Sequence, residues 1–443
     1  MDLRELQDVE CSSEYRCGSL FRFCCGHGKA SSEVDAKNRF GMVLASLHGT
    51  PKAMEAVFGG GSLFFLDGFK AKVFSFFWAA KHMKITFIIP FPNLSGGIRV
   101  VAIYAKHLKT RGHDVLVVAA RKKKESFSQK IRSLASWPHR NLCSNFKIPY
   151  FDEIGVPLKI VGHEGPVLES DLPDADIVIA TWWETAEWVT TFSRDKGSKV
   201  YFLQGYEIFE YLPKKRVEAT WRVPMHKIVV AQWLADLARS EYGNTAVSVV
   251  PNSVDISQFF SPPRGKQAIT SVGMVYSDLP FKGCDICLAA FRIAAKKIPN
   301  LQLIAFGINK SSLDLPLPAG TSYFRQPDQT FLKEIYGKCD AWLFGSRSEG
   351  FGLPILEAMA CRTPVIATPA GAAPELVGGG GGILVPPENP KEMARAIERI
   401  YYLSETDWRA MSEAAYLRAN SYSWEDATTL FEKALRSAVL SDR

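Results

Sequence analysis

The chain has 443 residues, 47% hydrophobic and 22% charged, which is enough for two domains with substantial cores and ordinary for a globular protein. Its net charge of +7 suits anionic surfaces or phosphorylated substrates without choosing between them. Nine cysteines at irregular spacings, four of them (Cys11, Cys17, Cys24, Cys25) near the start, argue against a disulfide framework and for a reducing, cytoplasmic setting.

Residues 1–82 differ from the rest and read as an N-terminal extension, poorly ordered or contributed by a misassigned start. Cys17, Cys24, Cys25 and His27 fit no standard zinc spacing. The apolar stretch from Val57 to Trp78 is interrupted by Asp67, Lys70 and Lys72, and its uncharged pieces are too short to cross a bilayer. No basic start precedes an apolar core near Met1, so no signal-peptide layout is present. The functional alternative is a membrane-associating arm built on Phe74, Phe76, Phe77 and Trp78.

Residues 83–255 read as one Rossmann-like half. Lys84–Pro90 is a buried strand, followed by a loop ending in Gly96-Gly97 and a helix through Val100, Val101, Tyr104, Ala105 and Leu108. Gly112-His-Asp114 turns the chain into a second strand, Val115–Ala119. The glycine pair thus sits at the carboxyl end of the first strand, where open α/β sheets bind ligands. The basic run Arg121–Lys124 reads as a solvated loop, with contact to anionic lipid or a phosphorylated acceptor as the alternative. Asp176–Ala180, Lys199–Leu203 and Lys227–Val230 are further strands, and Trp233–Tyr242 is a helix. Asp171, Asp174 and Asp176 precede a strand and read as caps rather than metal ligands.

Residues 256–404 repeat the grammar. Ile269–Gly273 is a strand, Met274–Gly283 a loop, and a helix runs through Ile286, Ala290 and Ile293. Cys284 and Cys287 read as two small residues on that helix. Leu301–Ala305 and Tyr323–Arg325 are strands, Phe331–Cys339 an amphipathic helix, and Ala341–Phe344 a buried strand. Residues 405–443 are helical, with the last helix starting near Ser423.

The segment Ser346–Glu357 carries the strongest chemistry. It runs from a strand through Gly350-Phe351-Gly352-Leu353 into a helix that has Pro354 in its first turn. The glycines permit a tight turn and close approach of a ligand. The helix N-terminus presents unpaired N–H groups to whatever occupies the loop, which favours a phosphate. Glu349 and Glu357 bracket it, and carboxylates are good acceptors for vicinal hydroxyls. Phosphate cradle and hydroxyl acceptors together describe a nucleotide-sugar site.

The Glu-x7-Glu spacing around Gly-Phe-Gly-Leu-Pro, with Thr363–Ala367 and Gly371–Val377 downstream, closely resembles the donor-site signature of glycosyltransferase family 4. The resemblance runs from Met83 to the C-terminus. It implies an α/β, GT-B fold: two Rossmann-like parallel-sheet domains facing across a cleft, with the last helix crossing back to the first. It further implies a retaining, metal-independent hexosyltransferase without cofactor, using a nucleoside-diphosphate sugar and a glycan or lipid-linked acceptor in cell-surface polysaccharide biosynthesis. Nucleic acid is not an expected partner; peripheral contact with the inner face of the membrane is. On this pattern Glu349, Lys282 and Gln204 are the catalytic candidates. Gly96, Gly97, Gly350, Phe351, Gly352, Leu353, Glu357 and Lys310 are the donor-binding ones.

Two departures from the family stand out. Gln204 occupies the place of a common histidine, and Gln204-Gly-Tyr-Glu207 resembles family members that assemble rhamnose-rich bacterial polysaccharides. Met274 stands where an arginine is expected on the donor phosphates, with Lys310 and Arg347 as candidate substitutes. These losses support the alternative of a catalytically impaired sugar-nucleotide-binding protein; a GT-B epimerase is another. An NAD-dependent oxidoreductase is disfavoured, since no Gly-x-Gly-x-x-Gly follows the first strand.

Overall fold

A computed structural model describes residues 82–93, 95–121 and 149–442, within a compact unit running from Lys81 to Arg443. The readings of the first 81 residues (the extension, the Cys17–His27 cluster, the aromatic arm) and of Lys122–Lys124 lie outside the described residues.

Two sheets organise the unit. The first contains β1 (Lys84–Ile89), β2 (Asp114–Arg121), β3 (Leu158–Glu164), β4 (Ile177–Ala180), β5 (Ser198–Leu203), β6 (His226–Val229) and β7 (Val247–Val249), in the order β3-β2-β1-β4-β5-β6-β7. The second contains β8 (Ser271–Tyr276), β9 (Gln302–Gly307), β10 (Ser322–Arg325), β11 (Ala341–Phe344), β12 (Val365–Ala367) and β13 (Gly382–Leu384), in the order β10-β9-β8-β11-β12-β13. Every pairing in both sheets is parallel. Helices cover both faces of such sheets, so central strands read as unbroken apolar runs: Ile177-Val-Ile-Ala180 and Ala341-Trp-Leu-Phe344 are buried throughout. Strand order reverses between β1 and β4 in one sheet and between β8 and β11 in the other. Those two points are where ligands bind in open α/β sheets.

The structure differs from the sequence expectation in two instructive places. β3 had no counterpart, because as an edge strand with only Val161 buried it carries no apolar period. β8 starts later than expected and runs on to Tyr276. Gly273 does not end it. A Cβ there would lie 2.3 Å from the Trp342 ring, so the glycine exists to admit that indole. Met274 therefore lies inside the strand, opposite Ala305 and Leu343, and is fully buried. It is a core residue, and the loop expected directly after Gly273 begins only at Ser277.

The final helix, Trp424–Ser441, packs on the first sheet. Its start is fixed by a reciprocal cap in which Asp426 N–H donates to Ser423 Oγ and Ser423 N–H donates to the Asp426 carboxylate. Phe431 stacks on Tyr104 at 4.3 Å between centroids and meets the edge of Phe202 at 5.1 Å. Arg111 donates to Glu425 and Glu432, closing the helix onto the first half with charge as well as apolar contact.

Candidate functional site

The carboxyl ends of the two sheets meet at Gly350. Gln204, at the end of β5, donates from its side-chain amide to the Gly97 carbonyl at 3.0 Å. The carbonyl of Gln204 lies so close to Gly350 that a Cβ on Gly350 would fall 1.6 Å from it. Trp233 Nε1 donates to the Gly350 carbonyl at 3.0 Å, adding a second tie between the halves. Gly97, Gln204 and Gly350, three residues singled out by pattern, thus form one junction.

Two helices point their N-termini into this junction. One, Gly96–Thr110, begins after β1; the other, Leu353–Ala360, begins after the β11 loop. Neither N-cap residue, Ser95 or Gly352, supplies a side-chain cap, so first-turn N–H groups of the first helix stay available to an anion; in the second, Pro354 has no N–H and Ile355 N–H donates to the Gly352 carbonyl at 2.9 Å, which leaves that of Leu353. Gly352 adopts φ +102, a conformation that a glycine takes without strain. Phe351 is buried beneath the loop and its carbonyl accepts from Ala372 N–H, while Leu353 is half-buried at the helix start.

Lys282 Nζ donates to Glu349 Oε1 at 2.7 Å, and Ser346 Oγ donates to the same oxygen at 3.0 Å. Lys282 is 34% exposed and Glu349 only 13%. The pair sits over a small cavity of about 40 Å³ whose walls include Val275, Cys287 and Phe344. Here the charge of the lysine is balanced by the carboxylate. Phe281, next to Lys282, packs on Phe209 of the first half at 5.0 Å, and Phe209 in turn stacks on Tyr211.

Glu357 lies on the Leu353–Ala360 helix and accepts from the Tyr336 hydroxyl at 2.7 Å. Burial pushes its carboxyl up from the usual range, while the Tyr336 hydrogen bond and the positive charge of Arg99 pull the other way. Arg99 and Tyr336 were not anticipated. Arg99 follows the glycine pair by two residues and lies half-exposed between the buried Ile98 and Val100, a charged interruption of an apolar helix face.

Of the two proposed substitutes for an arginine at 274, Arg347 is already fully engaged. All three nitrogens of Arg347 are engaged: Nε and Nη2 donate to Glu388, Nη1 and Nη2 to Asp285, and Nη1 also to the Pro280 carbonyl. Those carboxylates hold its charge so firmly that its pKa moves up, and no donor is left for a phosphate. Lys310 is exposed in the segment after β9, and no hydrogen bond or ion pair links it to Lys282, Glu349 or Glu357. Asp171, Asp174 and Asp176 have structural roles: they accept from Leu168 N–H, Lys196 and Lys84 N–H respectively. Cys284 and Cys287 are buried on the helix after β8, and burial pushes both thiols up, Cys284 to about 11. Glu207, in the turn after Gln204, is buried and accepts from Trp183 N–H, so it caps a helix rather than facing the cleft. Among the described residues no helix is long and apolar enough to cross a membrane.

Comparison with known proteins agrees with this geometry. Residues 257–418 match the family model of glycosyl transferases group 1. Over 191 residues the chain is 32% identical to D-inositol 3-phosphate glycosyltransferase of Mycobacterium leprae, covering 40% of this chain and 43% of the relative. The match thus spans somewhat under half the length of that protein. In structure the chain resembles sucrose-phosphate synthase of Thermosynechococcus elongatus, with a TM-score of 0.62 at 18% identity over 81% of this chain and 99% of that one. It also resembles Anabaena HepE in complex with UDP-glucose, with a TM-score of 0.61 at 19% identity over 82% of this chain and all of the other. Residues 257–418 are therefore similar to a glycosyl transferases group 1 domain, and the chain carrying them has the GT-B fold.

Proposed function

We propose that this protein is a retaining, metal-independent glycosyltransferase that moves a hexose from a nucleoside-diphosphate sugar to a glycan or lipid-linked acceptor, in cell-surface polysaccharide biosynthesis. The observation that carries this reading is the meeting of two uncapped helix N-termini with Lys282, Glu349 and Glu357 at the Gly97–Gln204–Gly350 junction. In transfer, the bond from the anomeric carbon to the diphosphate breaks, a bond to the acceptor oxygen forms, and the acceptor's proton passes to the departing diphosphate. Negative charge develops on the departing diphosphate. Lys282 and the N–H groups of the two helices would stabilise it. Glu357 is suited to accept from ribose hydroxyls, and Glu349, released from Lys282, from sugar hydroxyls. Gln204 is an amide and cannot take the acceptor's proton, so its role is to orient the sugar and hold the junction closed.

A UDP-sugar is the first donor to test, since HepE was solved with UDP-glucose. A thermal-shift panel of UDP, GDP and dTDP sugars, followed by incubation with candidate acceptors and NMR of the product, tests the reading. Stabilisation by one nucleotide and an axial or equatorial linkage matching the donor's are expected. Binding without turnover on any acceptor, and without release of free sugar, would favour the sugar-nucleotide-binding alternative.

A further inference from the structure

The cleft is short of committed positive charge. Lys282 is balanced by Glu349, Arg347 is consumed by two carboxylates, and Met274 is in the core. A diphosphate entering a partly desolvated site needs cations to replace its water. Arg99 is the candidate. It lies in the first turn of the helix that starts at Gly96, where its N–H donates to the Ser95 carbonyl at 3.0 Å. Two residues earlier in that turn, Gly97 is tied to Gln204, whose carbonyl abuts Gly350 in the other half. The guanidinium is half-buried, has no hydrogen bond or ion pair among the described residues, and its charge is felt by Glu357 and Tyr336 across the junction. A planar guanidinium also matches two phosphate oxygens at once, which an ammonium does not.

On the reading that this is a nucleotide-sugar site, we propose that Arg99 is a donor-phosphate ligand contributed by the N-terminal half. It grips the nucleoside diphosphate on the side of Glu357, opposite Lys282, and supplies the second cation that residue 274 does not. Because Arg99 and Glu357 belong to different halves, a bound nucleoside diphosphate, with its phosphates on Arg99 and its ribose on Glu357, bridges them and favours the closed junction.

The test compares binding of a nucleoside diphosphate with binding of its parent nucleoside by calorimetry, for wild type, Arg99→Gln and Arg99→Lys. UDP, GDP and dTDP are screened first and the tightest is used. Arg99→Gln is expected to weaken the diphosphate at least tenfold and to change the nucleoside less than twofold. Arg99→Lys is expected to recover part of the loss, since it restores the charge and not the fork. It also serves as the measurement should the glutamine variant fail to fold. Unchanged diphosphate affinity in the variants overturns the proposal and leaves the function intact. Equal weakening of diphosphate and nucleoside also overturns it, because Arg99 would then act by orienting Glu357. If wild type binds none of the three diphosphates, the functional reading falls and this proposal with it.

Discussion

Replacing Gly350 by alanine isolates the junction between the halves. Its backbone lies outside the left-handed region, so alanine brings no conformational strain of its own. The added Cβ would meet the Gln204 carbonyl oxygen at 1.6 Å and the carbonyl carbon at 2.6 Å. Both are backbone atoms, with no rotamer to swing aside. To reach even the 3.0 Å that real Cβ contacts rarely breach, the halves must part by about 1.4 Å. A misplacement near 1 Å is worth about 100-fold in rate when catalysis depends on positioning. Gly350→Ala should therefore lower kcat for the preferred donor about 100-fold. Nucleotide affinity should fall much less, because Glu357 and the second helix N-terminus stay within one half. Steady-state kinetics and calorimetry read the two effects separately. Gly352→Ala is the contrasting control: at φ +102 it strains the loop within its own half, at roughly 1–2 kcal/mol of stability, and should lower Tm. A Gly350→Ala enzyme with wild-type kcat would refute the argument that the closed junction is the working state.

Lys282→Ala removes the cation from the Glu349 pair and should lower kcat/KM for the donor at least tenfold, mainly through kcat; wild-type kinetics would remove Lys282 from the charge-stabilising role. Met274→Arg should not restore a phosphate ligand. It places a guanidinium in a fully buried strand position and should cost several kcal/mol, read as insoluble protein or a markedly lower Tm. Glu432 supplies a pH test. Although burial raises its pKa, the neighbouring His113 and hydrogen bonds from Arg436 and Arg111 pull it down to about 2. A carboxyl depressed in the folded state contributes stability above its unfolded value of about 4.3, and loses it as pH falls toward 2. The Tm gap between wild type and Glu432→Gln should be widest near pH 6 and narrow between about pH 4.3 and 2 in differential scanning calorimetry. A gap that does not change with pH would deny Glu432 its charged role.

Much of this architecture can be read from the residues alone. Central strands such as Ile177–Ala180 announce themselves because both faces are covered, and Gly350–Gly352 followed by Pro354 marks a loop entering a helix. β3 escaped because an edge strand needs little apolar surface. The loop after β8 was mislocated for a different reason. A glycine was taken as the end of a strand, whereas Gly273 answers to the Trp342 ring packed over it, a contact from a residue 69 positions later that no local pattern contains. The same limit applies to cations. Arg347 and Lys310 were the nearest by chain position, but the carboxylates that neutralise Arg347 come from Asp285 and Glu388 on separate elements. Arg99 became visible only once both halves were placed together.

The docking of Trp424–Ser441 on the first sheet has a consequence for how this chain matures. Tyr104 and Phe202 are made well before the ring that packs on both of them, Phe431. The aromatic layer over the first sheet therefore stays open on the ribosome until Phe431 has emerged. Contacts separated by more than 200 residues are slow to form, because the intervening chain must first be brought to order. The first half is thus expected to remain loosely packed until Phe431 has emerged, exposed to chaperones meanwhile, and to set its core in the same step that fastens the two halves to each other.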